Sequence, residues 1–263
     1  MEENETARRR TLIEDALDAV LPKASERPAV LGEAMRWAVE GGGKRIRPLV
    51  CLAAAEAVGG RLEDARFPAC AIELLHSYTL IHDDLPAMDN DATRRGRASV
   101  WAKFGEANAI LAGDALQALA FQTAARAPRN VPALVAELGL RGVGVVAGQV
   151  EDIAQSPTPK PHSLSFIYEH KTADLFMAAA AMGALAGGAT PELVARLRGF
   201  ARDLGLAFQY EDDLLDGDSP LARAETERRV RDLTAQAVAA LENLPGDTAF
   251  LSHLAARLAR RTR

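Results

Sequence analysis

The sequence predicts an all-α fold. Three observations carry that expectation. Alanine and leucine dominate, with aromatic residues at only 5%. Alternating β-branched runs are scarce. Apolar residues recur at helical spacing, as in Phe67, Cys70, Ala71, Leu74, Leu75 and Tyr78.

Taken in order, the apolar pattern places a first helix over 6–20, closed by PKASERP, and a second over 30–40 that stops at the glycines of GGGKRIRP. Pro48 suits the first turn of a third helix, 48–58, which ends at VGG. Residues 64–84 read as one amphipathic helix. Further helices are predicted over 105–126, 132–150, 163–187, 191–216, 221–243 and 247–261. The breaks between them are APRNVP, SPTPKP, GGATP, DGDSP and LPGD. None is long enough for a domain linker and no short repeat is visible, so the expectation is a single domain, 1–263, of about ten helices.

Composition narrows the function. Hydrophobic residues at 48% and charged residues at 25% fit a soluble globular chain, and 263 residues can bury a sizeable core. A net charge of -5 argues against nucleic acid as the main partner. Cys51 and Cys70 lie in apolar runs without metal-ligand spacing and read as buried core thiols. The polar start MEENETARRR has no signal-type apolar segment behind it. The longest apolar stretch, LFMAAAAMGALAGG from Leu175, is shorter than the ~20 residues a membrane span needs. A cytoplasmic location without membrane insertion is therefore expected.

Charge interrupts these helices at a few places. In HDDLPAMDNDATRRGR, Asp83, Asp84, Asp89 and Asp91 are followed at once by Arg94, Arg95 and Arg97. His76, Thr79 and Asp83 share one helical stripe. Asp89 lies six residues past Asp83, about 240° round an ideal helix, so the chain must bend near Pro86 for the two to converge. In FQYEDDLLD, Gln209, Asp212, Asp213 and Asp216 follow i, i+3, i+4, i+7 and share one face of an otherwise apolar helix. GGGKRIRP packs Lys44, Arg45 and Arg47 between a glycine turn and a helix start, which suits an anion. Smaller signals are GQVED, with Gln149 and Asp152, and Lys171-Thr172 at the head of an apolar run. Carboxylates hold Mg²⁺ through hard oxygens, and Mg²⁺ with Lys and Arg holds polyphosphate. Two acidic and two basic clusters thus point to one metal–diphosphate chemistry.

With these pieces assembled, the chain resembles the trans-isoprenyl diphosphate synthases, most closely the bacterial farnesyl diphosphate synthases. The matching segments are EAMRWAVEGGGKRIRP, ELLHSYTLIHDDLPAMDNDATRRGR, KFGEANAILAGDALQALAF, GQVED, HKTADLFMAAAAMGAL and FQYEDDLLD, spanning 33–216. The resemblance implies an isoprenoid-synthase-type helical bundle around a central apolar cavity, as one polyprenyl synthetase domain. It also implies Mg²⁺, three ions with substrate bound, held by Asp83, Asp84 and Asp89 on one wall and Asp212, Asp213 and Asp216 on the facing wall. Arg94, Lys171, Thr172 and Gln209 match positions that assist the allylic diphosphate. Lys44, Arg47, His76 and Arg95 match those that bind isopentenyl diphosphate. Tyr78, with Thr79 beside it, sits where the family floors the chain-elongation pocket. A bulky residue there implies farnesyl diphosphate, a fifteen-carbon product made from dimethylallyl and geranyl diphosphate. The alternative is a geranylgeranyl diphosphate synthase with a twenty-carbon product or, in a different class, a non-catalytic partner subunit of a synthase. A homodimer is expected from the family.

The sequence departs from the family pattern in places. Asn90, Ala98 and Trp101 replace an aspartate, a proline and a histidine. After FQYEDDLLD the family runs through a lysine-bearing loop, whereas here GDSPLARAETERRV follows and no lysine occurs after Lys171. Either the loop is lost or a segment is missing from the numbering between about Asp218 and Leu221. The second is the favoured expectation, and it implies a mass ~3 kDa above 28.1 kDa.

Overall fold

The computed structural model describes residues 2–23, 25–154, 161–217 and 219–259. The predicted break SPTPKP falls mostly, and Asp218 wholly, outside the described residues. In chain order the elements are α1 (Glu2–Val20), α2 (Ala29–Glu40), α3 (Ile46–Ala57), α4 (Leu62–Asp83), a hairpin of β1 (Thr93–Arg94) and β2 (Arg97–Ala98), α5 (Val100–Phe104), α6 (Glu106–Ala124) and α7 (Val131–Ala154). After these come α8 (Pro161–Ile167), a π-helical turn (Tyr168–Ala173), α9 (Asp174–Gly187), α10 (Pro191–Asp216), α11 (Arg223–Ala239) and α12 (Ala249–Leu258). The fold is all-α, as the sequence predicts. Two differences stand out: the predicted helix over 163–187 is divided by the π turn, and α5 and the hairpin were not foreseen.

Chain contacts divide the protein into two compact units, Met1–Leu49 with Arg66–Ala127, and Val50–Ala65 with Pro128–Arg263. In the first unit α2 stops at Gly41, and Gly42 and Gly43 take φ values of 83° and 152° that only glycine adopts easily. Pro48 then lies in the first turn of α3, where its missing N–H is harmless. The run from Ala69 to Leu75 on α4 is buried at every position, so the middle of α4 is enclosed all round and not amphipathic as predicted. Cys51 and Cys70 are both buried, and burial pushes both thiols up, which keeps them protonated.

In the second unit α9 is the apolar run LFMAAAAMGAL, and it is a core helix buried on all sides. Its small residues permit close packing: Gly183 lies directly against the backbone of Cys51. α10 begins at an N-cap, with the Thr190 side chain accepting from the Leu193 N–H at 3.4 Å and Pro191 in the first turn, and ends at Gly217 in a left-handed cap.

The longest apolar helix is α7, not the run from Leu175. Among the described residues it is the one helix long and apolar enough to cross a membrane, by length and composition alone. Leu134, Leu138, Gly142, Val145 and Gly148 on one face are buried. Leu140, Val143, Val146, Val150 and Ile153 form an exposed apolar stripe, with Val143 71% and Leu140 63% accessible.

Candidate active site

The first aspartate cluster takes shape at the end of α4. The helix stops at Asp83, and the chain folds back so that the Asp89 N–H donates to the Asp83 carbonyl at 2.8 Å. Met88 and Asn90 both donate to the Leu85 carbonyl, at 2.9 and 3.0 Å. This is the bend near Pro86 that convergence requires. Asn90 has φ 55°, a left-handed conformation that Asn tolerates better than most residues, which gives its presence a physical reason. Trp101 donates from its indole to the Asp91 carbonyl at 2.8 Å and anchors the far side of the loop.

The hairpin then separates two arginines that are neighbours in sequence. Its turn is Arg95-Gly96, with φ 53° and 75°, the pattern of a type I′ two-residue turn. Arg94 goes back to Asp84, with Nε and Nη2 both 2.6 Å from Oδ1. Asp84 is only 2% exposed, and burial pushes its carboxyl above the usual range while Arg94 pulls it back. Arg95 goes instead to the glycine turn, where its guanidinium donates to the Gly42 carbonyl. A Cβ on Gly43 would stand 2.8 Å from Arg95 Nη1, so the glycine is what lets the guanidinium approach.

The basic turn sorts into structural and available charge. Arg45 is 4% exposed and fully engaged: Nε and Nη2 donate to Glu14 at 2.7 and 3.1 Å, Nη1 to Glu73 at 2.6 Å, and Nη2 to the Val39 carbonyl at 2.8 Å. Lys44 is exposed, and Arg47 reaches His76, with Nη1 3.2 Å from Nε2. Burial first, then Arg47 and Arg95, hold His76 well below its ordinary range, so its Nε2 is the acceptor and the ring is neutral. Arg47 and Arg95 thus place two cations around a neutral His76, apart from the Arg94–Asp84 pair. Thr79 bonds the His76 carbonyl at 2.8 Å. Tyr78 is buried edge-on against His82, ring centroids 5.5 Å apart, with Gln117 as its hydroxyl partner.

In the second unit the two smaller signals prove to be one site. Lys171 Nζ donates to Asp152 Oδ2 at 2.5 Å, and the backbone of Lys171 lies against Gly148. Thr172 Oγ1 donates to Gln209 Oε1 at 2.7 Å, and Gln209 Nε2 donates to Asp213 Oδ1 at 2.9 Å. The second oxygen of Asp213 accepts from the Tyr168 hydroxyl. Asp212 and Asp213 are half-buried and Asp216 is exposed. Gln149 was not singled out as a site residue, yet it is buried with both amide atoms unpartnered. Such an atom pair is costly unless a water or ligand meets it. Tyr168, Asp152 and Gln149 join these residues as candidates to which the sequence assigns no individual role. Gln149 and Asp152 carried a signal in GQVED, and Tyr168 carried none.

The donor set is the kind that Mg²⁺ takes: carboxylate oxygens with lysine and arginine close by. Among the described residues no three acidic, histidine or cysteine side chains converge into a ready cluster. Mg²⁺ commonly binds through one or two carboxylates completed by substrate phosphates and water, so the residues fit. The predicted missing segment is not borne out. The 263-residue sequence runs without interruption from Asp216 at the end of α10 to Arg223 at the start of α11.

The polyprenyl synthetase family model matches residues 28–243. The chain belongs to this family. Among curated proteins, the chloroplastic geranylgeranyl pyrophosphate synthase of Capsicum annuum is 48% identical over 198 residues, 72% of this chain and 54% of that protein. The geranylgeranyl diphosphate synthase of Cyanophora paradoxa is 42% identical over 217 residues, covering 79% of this chain and 72% of that protein. The chain therefore spans little more than half the length of the Capsicum protein. Among solved structures, an FPP/GFPP synthase from Zymomonas mobilis matches with TM-score 0.89 and 34% identity, over 97% of this chain and 98% of that one. A geranylgeranyl pyrophosphate synthetase from Pyrococcus horikoshii matches with TM-score 0.90 and 29% identity, over 99% of each.

Proposed function

We propose that the chain is a Mg²⁺-dependent prenyl diphosphate synthase that joins isopentenyl diphosphate to an allylic diphosphate, with a twenty-carbon product. The observation that carries the reaction class is the parting of Arg94 and Arg95. One serves the aspartate cluster and the other the glycine turn with Arg47 and His76, which supports two separate diphosphate positions, as condensation of two diphosphates needs. The names of the curated relatives favour the twenty-carbon alternative over the fifteen-carbon expectation.

In this reading the allylic C–O bond breaks, and its electron pair leaves with the diphosphate. In the second unit Lys171, Thr172 and Gln209 are read as ligands of a diphosphate, and in the first unit Arg94 beside Asp84 is read likewise. Lys171 and Arg94 rest on Asp152 and Asp84 until a phosphate competes for them. Lys44, Arg47, His76 and Arg95 hold the second diphosphate and orient its double bond toward the allylic cation. The π electrons of that double bond form the new C–C bond to the allylic carbon, and the resulting tertiary cation loses an adjacent proton to the released diphosphate, which restores a double bond. Mg²⁺ held through the aspartates, when bound, supplies charge neutralisation for the leaving group. Both compact units are read as parts of one synthase domain.

The exposed apolar stripe on α7 supports a homodimer, because single large apolar side chains on a surface are ordinary but a continuous stripe is not. Light scattering on a size-exclusion column tests this: a mass near twice 28.1 kDa is expected for the wild type and a monomer for Val143→Asp/Val150→Asp.

A second reading, the fifteen-carbon product, is favoured by Tyr78, a bulky buried side chain five residues before Asp83. Product mass after phosphatase treatment separates the two. A twenty-carbon alcohol from dimethylallyl, geranyl and farnesyl diphosphates supports the first reading. A fifteen-carbon product that lengthens in Tyr78→Ala supports the second.

A further inference from the structure

We propose that Tyr168 is a positioning residue that clamps Asp213, leaving one side of that carboxylate to meet the metal–diphosphate. The inference rests on the synthase reading above. It stands on three observations in the second unit.

First, both oxygens of Asp213 are held, Oδ2 by the Tyr168 hydroxyl and Oδ1 by Gln209 Nε2 at 2.9 Å. A carboxylate offers about four lone-pair positions, so two donors fix its plane and leave one position on each oxygen. Second, the clamp has two rungs. Tyr168 and Thr172 lie four residues apart on the π turn, Asp213 and Gln209 four apart on α10, and 168 pairs with 213 while 172 pairs with 209. The π turn is the irregularity that presents both side chains to α10, and such turns concentrate at functional sites. Third, the phenol is itself immobilised from behind. Tyr168 is 6% exposed, stands edge-on to Tyr210 with ring centroids 5.1 Å apart, and packs with Leu164, Leu206 and Leu233. Tyr210 in turn accepts from Arg229 Nη1 at 2.8 Å.

Tyr168 donates to Asp213 and acts through it. A hydroxyl serving only packing would leave ligand binding untouched when removed. The deciding variant is Tyr168→Phe, which keeps the ring and its stacking. Three quantities are read on the full chain: the melting temperature without metal, the calorimetric affinity for inorganic pyrophosphate in Mg²⁺, and the Mg²⁺ concentration giving half-maximal prenyl transfer. The expected result is a metal-free melting temperature within a few degrees of wild type, a pyrophosphate affinity ~10-fold weaker, a raised Mg²⁺ requirement, and a fall in kcat with little change in KM for isopentenyl diphosphate. Unchanged pyrophosphate affinity and Mg²⁺ requirement, with only a lower melting temperature, would overturn the inference and leave Tyr168 a packing residue. Wild-type protein that binds no pyrophosphate in Mg²⁺ would overturn the synthase reading and the inference together.

Discussion

The backbone N–H of Asp89 returns to the carbonyl of Asp83, at 2.8 Å, across a six-residue loop. The bond satisfies a carbonyl that the end of α4 would otherwise leave open. It also brings the last aspartate of the motif back to the first, with Asn90 in a left-handed conformation as the pivot. A β-branched residue at 90 would pay about 1–2 kcal/mol for that conformation. Asn90→Val should therefore lower the melting temperature by a few degrees and raise the Mg²⁺ requirement, whereas Asn90→Gly should preserve both. Calorimetric melting and Mg²⁺ titration of the rate check this.

Arg45 and its neighbour Arg47 should behave oppositely. Arg45→Ala strands Glu73, which is 3% exposed, and should cost about 3–5 kcal/mol in urea unfolding. Arg47→Ala removes one of several like charges around His76 and should change stability by less than about 1 kcal/mol while raising KM for isopentenyl diphosphate. Similar losses of stability in both would contradict the division of the basic turn into structural and binding charge.

Much of this was legible beforehand. The helices follow from composition and periodicity, and the aspartate and basic clusters from charge set into apolar runs. The hairpin was not legible, because Arg95-Gly96 is not a strong turn pair; Arg95 has φ 53° through its bond to Gly42 rather than through local preference. The π turn was missed because its residues are ordinary helix formers. Tyr168 was missed because nothing in the sequence distinguishes a tyrosine that meets a carboxylate 45 positions away from one that fills a core. The spacing in α4 fits an amphipathic helix because an apolar stripe and an enclosed helix centre share the same period until neighbours are known.

His76 should make stability depend on pH in a definite direction. Its folded-state pKa lies well below 6.5, so in the acid range the unfolded chain binds more protons than the folded one. The contribution is fully present above pH ~6.5 and is lost as pH falls below that value, at up to about 1.4 kcal/mol per unit. Urea unfolding from pH 7.5 to 5 should therefore show a steeper loss in the wild type than in His76→Gln. Parallel slopes would mean that His76 is not held neutral.

Gly43→Ala tests the approach of Arg95 to the glycine turn. The added methyl would stand 2.8 Å from Arg95 Nη1, and the backbone there has φ 152°. The variant should raise KM for isopentenyl diphosphate about 10-fold and leave KM for the allylic diphosphate within about 2-fold. Equal rises in both would place Arg95 in a shared role.

The most direct test of the central claim is transfer of radiolabelled isopentenyl diphosphate to farnesyl diphosphate by purified protein, with and without Mg²⁺. Asp84→Asn and Asp213→Asn are run beside the wild type. The expected result is an extractable twenty-carbon product after phosphatase treatment, abolished by EDTA, with the rate reduced roughly 100-fold or more in either variant. Label that stays in isopentenyl diphosphate with every allylic starter, or transfer indifferent to Mg²⁺ and to both aspartates, would contradict it.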